Sequence, residues 1–179
     1  MPRTVGVANG TDALVLALDA MEIGPGDEVI CPSFTFYATA ESIARRGATP
    51  VFADIDPVTL NLDPDDVAAR VTDRTRAITP VHLFGRVMPL EGLAELGIPI
   101  VEDAAQAYGA KGVARIGALS TFSFFPTKNL FALAGIGYAF GSNYERFHHA
   151  FDLALVAGAA LVVLYLVVRS ASSRLKSRA

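Results

Sequence analysis

Apolar residues recur between Val5 and Phe125 with two different spacings. Over residues 11–21, Leu14 and Leu18 lie on one face of a predicted helix. The nearly continuous apolar runs at 29–31 and 98–101 are instead typical of strands buried on both faces. The same reasoning predicts helices over 35–46, from Pro64 onward and over 89–96, and strands over 28–31, 49–55, 76–83, 98–102 and 121–125.

Turn and capping residues separate these elements. The segment 24–27, Gly-Pro-Gly-Asp, predicts a turn. Gly47 is placed to end the second helix, and Asp63 followed by Pro64 is typical of a helix N-cap and first helical residue. Because strands alternate with helices, we predict an α/β fold built on a mainly parallel sheet with flanking helices.

The character of the sequence changes after Asn143. Residues 153–168 form an uninterrupted apolar run, and only basic charges follow it, from Arg169 to Arg178. The run has 16 residues, which span roughly 24 Å as a helix. A helix that crosses a bilayer core needs about 20 residues, so the run is slightly short by itself. We therefore predict two regions, 1–140 and 141–179, the second containing an apolar helix over 150–169. That helix either enters a membrane, as a transmembrane helix, or packs against protein.

Composition narrows the class of protein. The 179 residues suit one domain with a core of its own. The formal net charge of -3 gives no basic field that would favour nucleic acid, and the single cysteine, Cys31, suits a reducing compartment. The first residues contain no apolar stretch typical of a secretory signal. A cytoplasmic protein is expected, with membrane association through 150–169 as the alternative.

The first stretch suited to a ligand is 9–13, Asn-Gly-Thr-Asp-Ala. It places Gly10 and Thr11 at the start of a helix, where N–H groups and the helix dipole favour a phosphate. An ordinary N-cap by Asn9 or Thr11 is the simpler explanation of this stretch taken alone. Phe36 follows a predicted strand, and by itself it is expected in the core.

Two further stretches carry an acid and an amine. The segment 101–106, Val-Glu-Asp-Ala-Ala-Gln, brings Asp103 to the end of an apolar strand, the sheet edge where α/β proteins bind ligands. A solvated strand end is the alternative. The segment 123–129, Ser-Phe-Phe-Pro-Thr-Lys-Asn, contains Lys128, whose amine is a candidate Schiff-base nucleophile. A lone lysine is more often a surface charge.

In this order, these stretches resemble the DegT/DnrJ/EryC1/StrS family of sugar aminotransferases, which depend on pyridoxal 5'-phosphate (PLP). The intervening sequence is similar as well, at 24–30 (Gly-Pro-Gly-Asp-Glu-Val-Ile), 47–52 (Gly-Ala-Thr-Pro-Val-Phe) and 81–85 (Val-His-Leu-Phe-Gly). The resemblance covers about 5–133, and its most specific motifs are Glu-Asp-Ala-Ala-Gln and Thr-Lys-Asn-Leu. It implies the large domain of a fold-type I PLP enzyme, incomplete here.

The resemblance also implies roles for the matched positions. Lys128 is expected to form the Schiff base with PLP and then to act as general base and acid. Asp103 is expected to pair with the pyridinium nitrogen, so that the ring acts as an electron sink. Gln106 is expected near the ring hydroxyl and Phe36 on the ring face. The phosphate is expected to be held by Gly10, Thr11 and Ser123.

Family members with histidine in place of the lysine are dehydratases, so Lys128 favours transamination. The implied reaction passes an amine from an amino acid, commonly glutamate, to a nucleotide-linked keto-sugar, as used in polysaccharide biosynthesis. The implied assembly is a homodimer with the active site at its interface. Three departures suggest impairment by truncation: nine residues precede Gly10, the segment 134–137 (Ala-Gly-Ile-Gly) lacks the family's acid, and no small domain follows. The alternatives are an inactive remnant that at most binds PLP or a partner, and a membrane-anchored interaction protein.

Overall fold

The computed structural model describes residues 4–125 and Lys128. None of the helices in this part is long and apolar enough to cross a membrane. The predicted boundary after residue 140 and the predicted helix over 150–169 lie outside the described residues and stay predictions. The described elements, in chain order, are α1 (Gly10–Ala20), β1 (Glu28–Pro32), α2 (Ala38–Arg45), β2 (Thr49–Ala53), α3 (Pro64–Ala69), β3 (Thr75–Ile78), a 3-10 turn (Leu83–Gly85), α4 (Glu91–Ala94), β4 (Val101–Asp103) and β5 (Leu119–Thr121).

The strands are parallel, as predicted. One sheet has the order β2-β1-β3, and β4 pairs with β5 in a second parallel ladder. Parallel bridges from Ile78 to Ile100 and from Val81 to Asp103 bring the edge of the first sheet to β4. All five described strands therefore run in one direction, and their carboxyl ends meet at one edge.

Helices cover both faces of the sheet, because neighbouring residues on a strand point to opposite sides. Val29 of β1 packs in a core cluster with Leu18 of α1 and Ile43 of α2. The next residue, Ile30, packs in a second cluster with Val67 of α3, on the other side. All of these side chains are buried to 1% exposure or less. The predicted α/β architecture with flanking helices is confirmed for the described residues.

Local signals place several element ends correctly. Asn9 caps α1, with its side-chain oxygen accepting from the Asp12 N–H at 2.9 Å. Asp63 caps α3, which has Pro64 in its first turn. Gly47 follows α2 with a φ of 78°, a left-handed conformation that glycine adopts without strain.

Several boundaries differ from the predictions: the strand predicted over 98–102 is Val101–Asp103, the helix predicted over 89–96 is Glu91–Ala94, and the strand predicted over 49–55 ends at Ala53. The last strand covers Leu119–Thr121 rather than 121–125, because residues 119–121 are the ones that pair with β4. β3 ends at Ile78 rather than at residue 83, two residues before Pro80, which has no N–H to donate to a ladder. The second helix begins at Ala38 rather than 35, which leaves Phe36 in the preceding loop.

Candidate active site

The carboxyl edge of the parallel strands gathers the predicted site residues. Asp103 is the last residue of β4. Phe36 lies in the loop that follows β1, and Ser123 lies just beyond β5. Parallel α/β sheets bind their ligands outside this edge, because loops and helix N-termini face it. The topology therefore explains how residues distant in the sequence form one site.

Asp103 is the buried carboxylate of this edge, with 5% of its surface exposed. Its Oδ2 accepts a hydrogen bond from Thr39 Oγ1 at 2.9 Å, and its Oδ1 accepts from the Ala105 N–H at 3.1 Å. Burial raises the pKa of Asp103, while these hydrogen bonds and the nearby Lys128 and His82 side chains act in the opposite direction. The net shift is upward, so the ionised form of this carboxylate would gain from another cationic donor.

Lys128 and Phe36 lie next to each other. The Lys128 Nζ is 5.2 Å from the centroid of the Phe36 ring, within the range of a cation–π contact. The Lys128 N–H donates to the Phe125 carbonyl oxygen at 2.7 Å. Phe36 is 65% exposed, unlike the core position expected from its sequence context alone. An exposed aromatic face beside an amine can accept a flat, carbonyl-bearing ring.

Gly10 and Ser123 form a close contact at the start of α1. A β-carbon placed on Gly10 would lie 2.8 Å from Ser123 Cβ and 3.1 Å from Ser123 Oγ, so a larger residue would not fit without movement. Thr11 is half-buried in the same first turn. The first N–H groups of a helix have no intrahelical acceptor, and together with the helix dipole they favour an anion. This turn and the nearby hydroxyl are therefore suited to a phosphate.

Gln106 connects the site to the loop after β3. Its Oε1 accepts a hydrogen bond from the Phe84 N–H at 2.7 Å. Phe84 has a φ of 56°, a left-handed conformation that is uncommon for residues with a side chain. The bond fixes the half-buried Gln106 side chain against this strained backbone. Its expected place near a ring hydroxyl stays a prediction.

A second buried network lies beside the site. His82 Nδ1 accepts from the Met88 N–H at 3.1 Å, so the proton on Nε2 faces Glu102 Oε2 at 3.0 Å. Glu102 also accepts from the N–H groups of Ala114 and Gly117, each at 2.8 Å. Burial raises the pKa of Glu102, but the hydrogen bonds outweigh it, and the pKa is lowered.

Sequence reasoning missed the hydrogen-bond partners of Thr39, His82 and Glu102. Thr39 was part of a predicted helix and Glu102 part of a strand end, with no partner assigned to either. One signal was present: Thr35 and Thr39 are four residues apart, which puts two hydroxyls on one side of that segment. His82 also stands out as a polar residue within an apolar run.

The fold and this edge define an α/β protein with an amine, a buried carboxylate and an anion-binding helix start around an exposed aromatic ring. The particular family follows from comparison with known proteins. The chain belongs to the DegT/DnrJ/EryC1/StrS aminotransferase family, whose model matches residues 1–156. The resemblance drawn from the motifs is thereby confirmed.

Curated relatives are similar over most of the described region. A pleiotropic regulatory protein from Geobacillus stearothermophilus is 55% identical over 134 residues, which cover 70% of this chain and 36% of that protein. The UDP-N-acetyl-3-dehydro-alpha-D-glucosamine 3-aminotransferase from Acidithiobacillus ferrooxidans is 52% identical over 141 residues, or 74% of this chain and 38% of the enzyme. The chain thus spans little more than a third of the length of these relatives.

Solved structures share the fold. NtdA from Bacillus subtilis, crystallised with its cofactor PMP, the amine form of PLP, has a TM-score of 0.65 and 35% identity. The match covers 67% of this chain and 28% of NtdA. The family is PLP-dependent, so the expected cofactor class is confirmed at the level of the family.

Proposed function

We propose that this chain forms the cofactor-binding part of a PLP-dependent aminotransferase that passes an amine from an amino acid to a nucleotide-linked keto-sugar. The observation that carries the proposal is the meeting of Lys128, Phe36 and Asp103 at the carboxyl edge of the sheet. Lys128 contacts the Phe36 ring, and its charge acts on the buried Asp103 carboxylate. An isolated surface lysine would have neither neighbour.

The residues at this edge fit the chemical groups of PLP. The cofactor has an aldehyde, a basic ring nitrogen, a flat ring and a phosphate. The Lys128 amine suits the aldehyde. Asp103 suits a protonated ring nitrogen, because burial raises the pKa of this carboxyl and a facing cation would stabilise its ionised form. Phe36 offers a ring face, 65% exposed. The close approach of Gly10 to Ser123 brings a hydroxyl next to the start of α1, where the first N–H groups of the helix favour a phosphate.

Each residue has a defined task in this proposal. Bound PLP supplies an electron sink that stabilises negative charge on the carbon losing its proton. The Lys128 Nζ would bond to the aldehyde carbon with loss of water, and the amine, once released by the substrate, would take the proton from the substrate carbon as general base and return it as general acid. Asp103 accepts the hydrogen bond of the protonated ring nitrogen, and Phe36 holds the ring plane. Gln106 orients the ring hydroxyl, and the phosphate is held by Gly10, Thr11 and Ser123.

The substrate class is proposed from the family and its relatives. The relative from Acidithiobacillus ferrooxidans is named for a UDP-linked 3-dehydro sugar, at 52% identity. A keto-sugar carbonyl is the acceptor that an amine transfer requires, and we propose glutamate as the amino donor. We also propose that the working form is a homodimer, as the family resemblance implies.

Absorbance of the purified full chain with added PLP tests the cofactor site. We expect a Schiff-base band, distinct from the absorbance of free PLP, that saturates with PLP and that Lys128→Ala abolishes, because it requires a covalent link to the Lys128 amine. Lys111→Ala is the matched control, since Lys111 is an exposed lysine that is not among the predicted site residues. A folded chain with no band, or a band that survives in Lys128→Ala, would contradict the proposal.

Turnover is a separate measurement from cofactor binding. The chain is incubated with PLP, glutamate and UDP-N-acetyl-3-dehydro-glucosamine, and the amino sugar is measured by mass spectrometry. Product that requires Lys128 would support the aminotransferase. A PLP band without product, from this and other keto-sugar nucleotides, would support the second function expected from the sequence, a protein that binds the cofactor without turning over substrate.

A further inference from the structure

We propose that Thr39, oriented by Thr35, is a positioning residue that aims the Asp103 carboxylate at the ring nitrogen of the cofactor. This inference deepens the proposed function and rests on it. Thr39 does not belong to the residues that the family resemblance places around PLP. It is fully buried, with 0% exposure, at the second position of α2. Its contacts reach both the carboxylate and the aromatic residue of the site.

The direction of the hydrogen bonds follows from the chemistry of the groups. An ionised carboxylate has no proton, so Thr39 Oγ1 gives its only proton to Asp103 Oδ2, at 2.9 Å. The bond between Thr35 Oγ1 and Thr39 Oγ1, at 3.2 Å, must then run from Thr35 to Thr39. The Thr39 hydroxyl therefore accepts a hydrogen bond from Thr35 and donates one to Asp103.

The backbone of Thr39 is also held in place. Its N–H donates to the Phe36 carbonyl oxygen at 3.2 Å, and its carbonyl accepts from Ser42 Oγ at 2.8 Å. One residue thus connects Asp103 with the loop that carries the Phe36 ring. With Thr39 on Oδ2 and the Ala105 N–H on Oδ1, the carboxylate plane is set by two donors on different segments.

The hydroxyl has a larger effect when the cofactor is bound. Burial raises the pKa of Asp103, and a facing ring N–H would favour the ionised form again. A hydrogen bond to an ionised group is about twice as strong as one to a neutral group. Loss of the Thr39 hydroxyl should therefore weaken the PLP complex more than the free chain. The expected loss of affinity is about tenfold.

A comparison of two cofactors separates positioning from general damage. PLP and its 1-deaza analogue, in which C–H replaces the ring nitrogen, are titrated into the full chain and followed by absorbance. We expect Thr39→Val to weaken PLP about tenfold and the analogue less than twofold. Thr39→Ser keeps the hydroxyl and should restore PLP affinity. Equal losses for both cofactors, or no loss for PLP, would overturn the proposal.

Thr79→Val is the matched control. Thr79 is also buried, at 1% exposure, but its hydroxyl has no hydrogen-bond partner among the described residues. The same change of residue should leave the affinity for both cofactors within twofold of the parent chain. A tenfold loss specific to PLP in this variant as well would show that any buried threonine gives the effect, and would count against Thr39.

A second readout needs no cofactor. The carboxyl carbon of Asp103 is titrated by NMR in the free chain, with Asp103→Asn for assignment. The groups that act on it are Lys128, His82, Thr39 and the Ala105 N–H. Thr39→Val should raise its pKa, and Thr39→Ser should not. An unchanged titration would refute the role of Thr39. Failure of the parent chain to bind PLP would instead refute the proposed function, and the NMR titration of the free chain would still test the contact between Thr39 and Asp103.

Discussion

Replacement of Glu102 by glutamine tests whether the buried network beside the site holds β4 in place. The carboxylate is 0% exposed and accepts from three donors, His82 Nε2 at 3.0 Å and the N–H groups of Ala114 and Gly117 at 2.8 Å each. Glutamine has nearly the same shape, so the change removes charge and one acceptor without leaving a cavity. Any loss of stability then reports on the hydrogen bonds.

The magnitude follows from the geometry. With its oxygen at the Oε2 position, the amide keeps His82 and the Ala114 N–H, now as neutral hydrogen bonds. Its NH2 group then faces the Gly117 N–H, and two donors cannot bond to each other. One buried N–H without an acceptor costs about 1–3 kcal/mol, and the two weaker bonds add to this. We expect a destabilisation of about 2–4 kcal/mol.

Urea unfolding of the full chain, followed by circular dichroism, measures this loss. At pH 7 the midpoint of Glu102→Gln should fall by about 1–2 M, for a slope of about 2 kcal/mol per M. Glu95→Gln is the control, since Glu95 is exposed on the surface. The folded pKa of Glu102 lies below its ordinary value of 4.5, so its stabilisation is complete above pH 4.5 and disappears as the pH falls through the folded pKa.

The gap in stability between the parent chain and Glu102→Gln should therefore be full at pH 7 and should narrow below pH 4.5. Two results would refute the reasoning. One is a midpoint for Glu102→Gln at pH 7 that matches the Glu95→Gln control. The other is a gap that persists unchanged in acid, because it would show that packing rather than charge causes the loss.

Three further changes test other parts of the structure. Gly10→Ala should lower the free energy of unfolding by about 1–3 kcal/mol, because the added methyl group clashes with Ser123, and it should also weaken PLP binding. Adding Ser123→Gly to the same chain should relieve the clash; thermal unfolding measures the stability and PLP titration the binding. Cys31 is buried and its pKa is raised to about 12, so a thiol reagent at pH 8 should label it only in denaturant. Asp63→Ala should lower the free energy of unfolding by about 0.5–2 kcal/mol, because Asp63 Oδ1 accepts from the Asp65 N–H at 3.0 Å; unchanged urea unfolding would contradict this.

The sequence is informative where one residue determines the backbone around it. Gly47 ends α2 with a positive φ, and Asp63 with Pro64 begins α3, both as predicted. The apolar runs predict buried parallel strands because the sheet is covered on both faces. By contrast, the contact of Gly10 with Ser123 joins residues far apart in the chain. No local spacing predicts it, and only the family resemblance indicated that both would serve one phosphate.

The missed features depend on tertiary pairing. The aromatic run before Pro126 is a stronger strand pattern than residues 119–121, yet β5 forms at 119–121, and Phe125 is 63% exposed. Strand propensity reflects packing, so the register of pairing with β4 decides which residues form the strand. The hydrogen bond from Thr39 to Asp103 spans 64 residues, so the local spacing of Thr35 and Thr39 does not indicate which residue accepts it.

Glu102 and Asp103 show why one acid is structural and its neighbour is suited to a ligand. They are adjacent on β4 and both are buried, but their pKa values move in opposite directions. Burial raises both pKa values, and the difference lies in the hydrogen-bond donors. Within residues 4–125 and Lys128, Glu102 accepts from three donors, including a histidine, whereas Asp103 accepts from Thr39 and the Ala105 N–H. Since successive strand residues face opposite sides, each carboxylate has its own set of partners. The fold supplies the hydrogen bonds that Glu102 needs, whereas Asp103 would be stabilised further by a cationic ring nitrogen, and this difference is the physical basis for the proposal that Asp103 faces the cofactor.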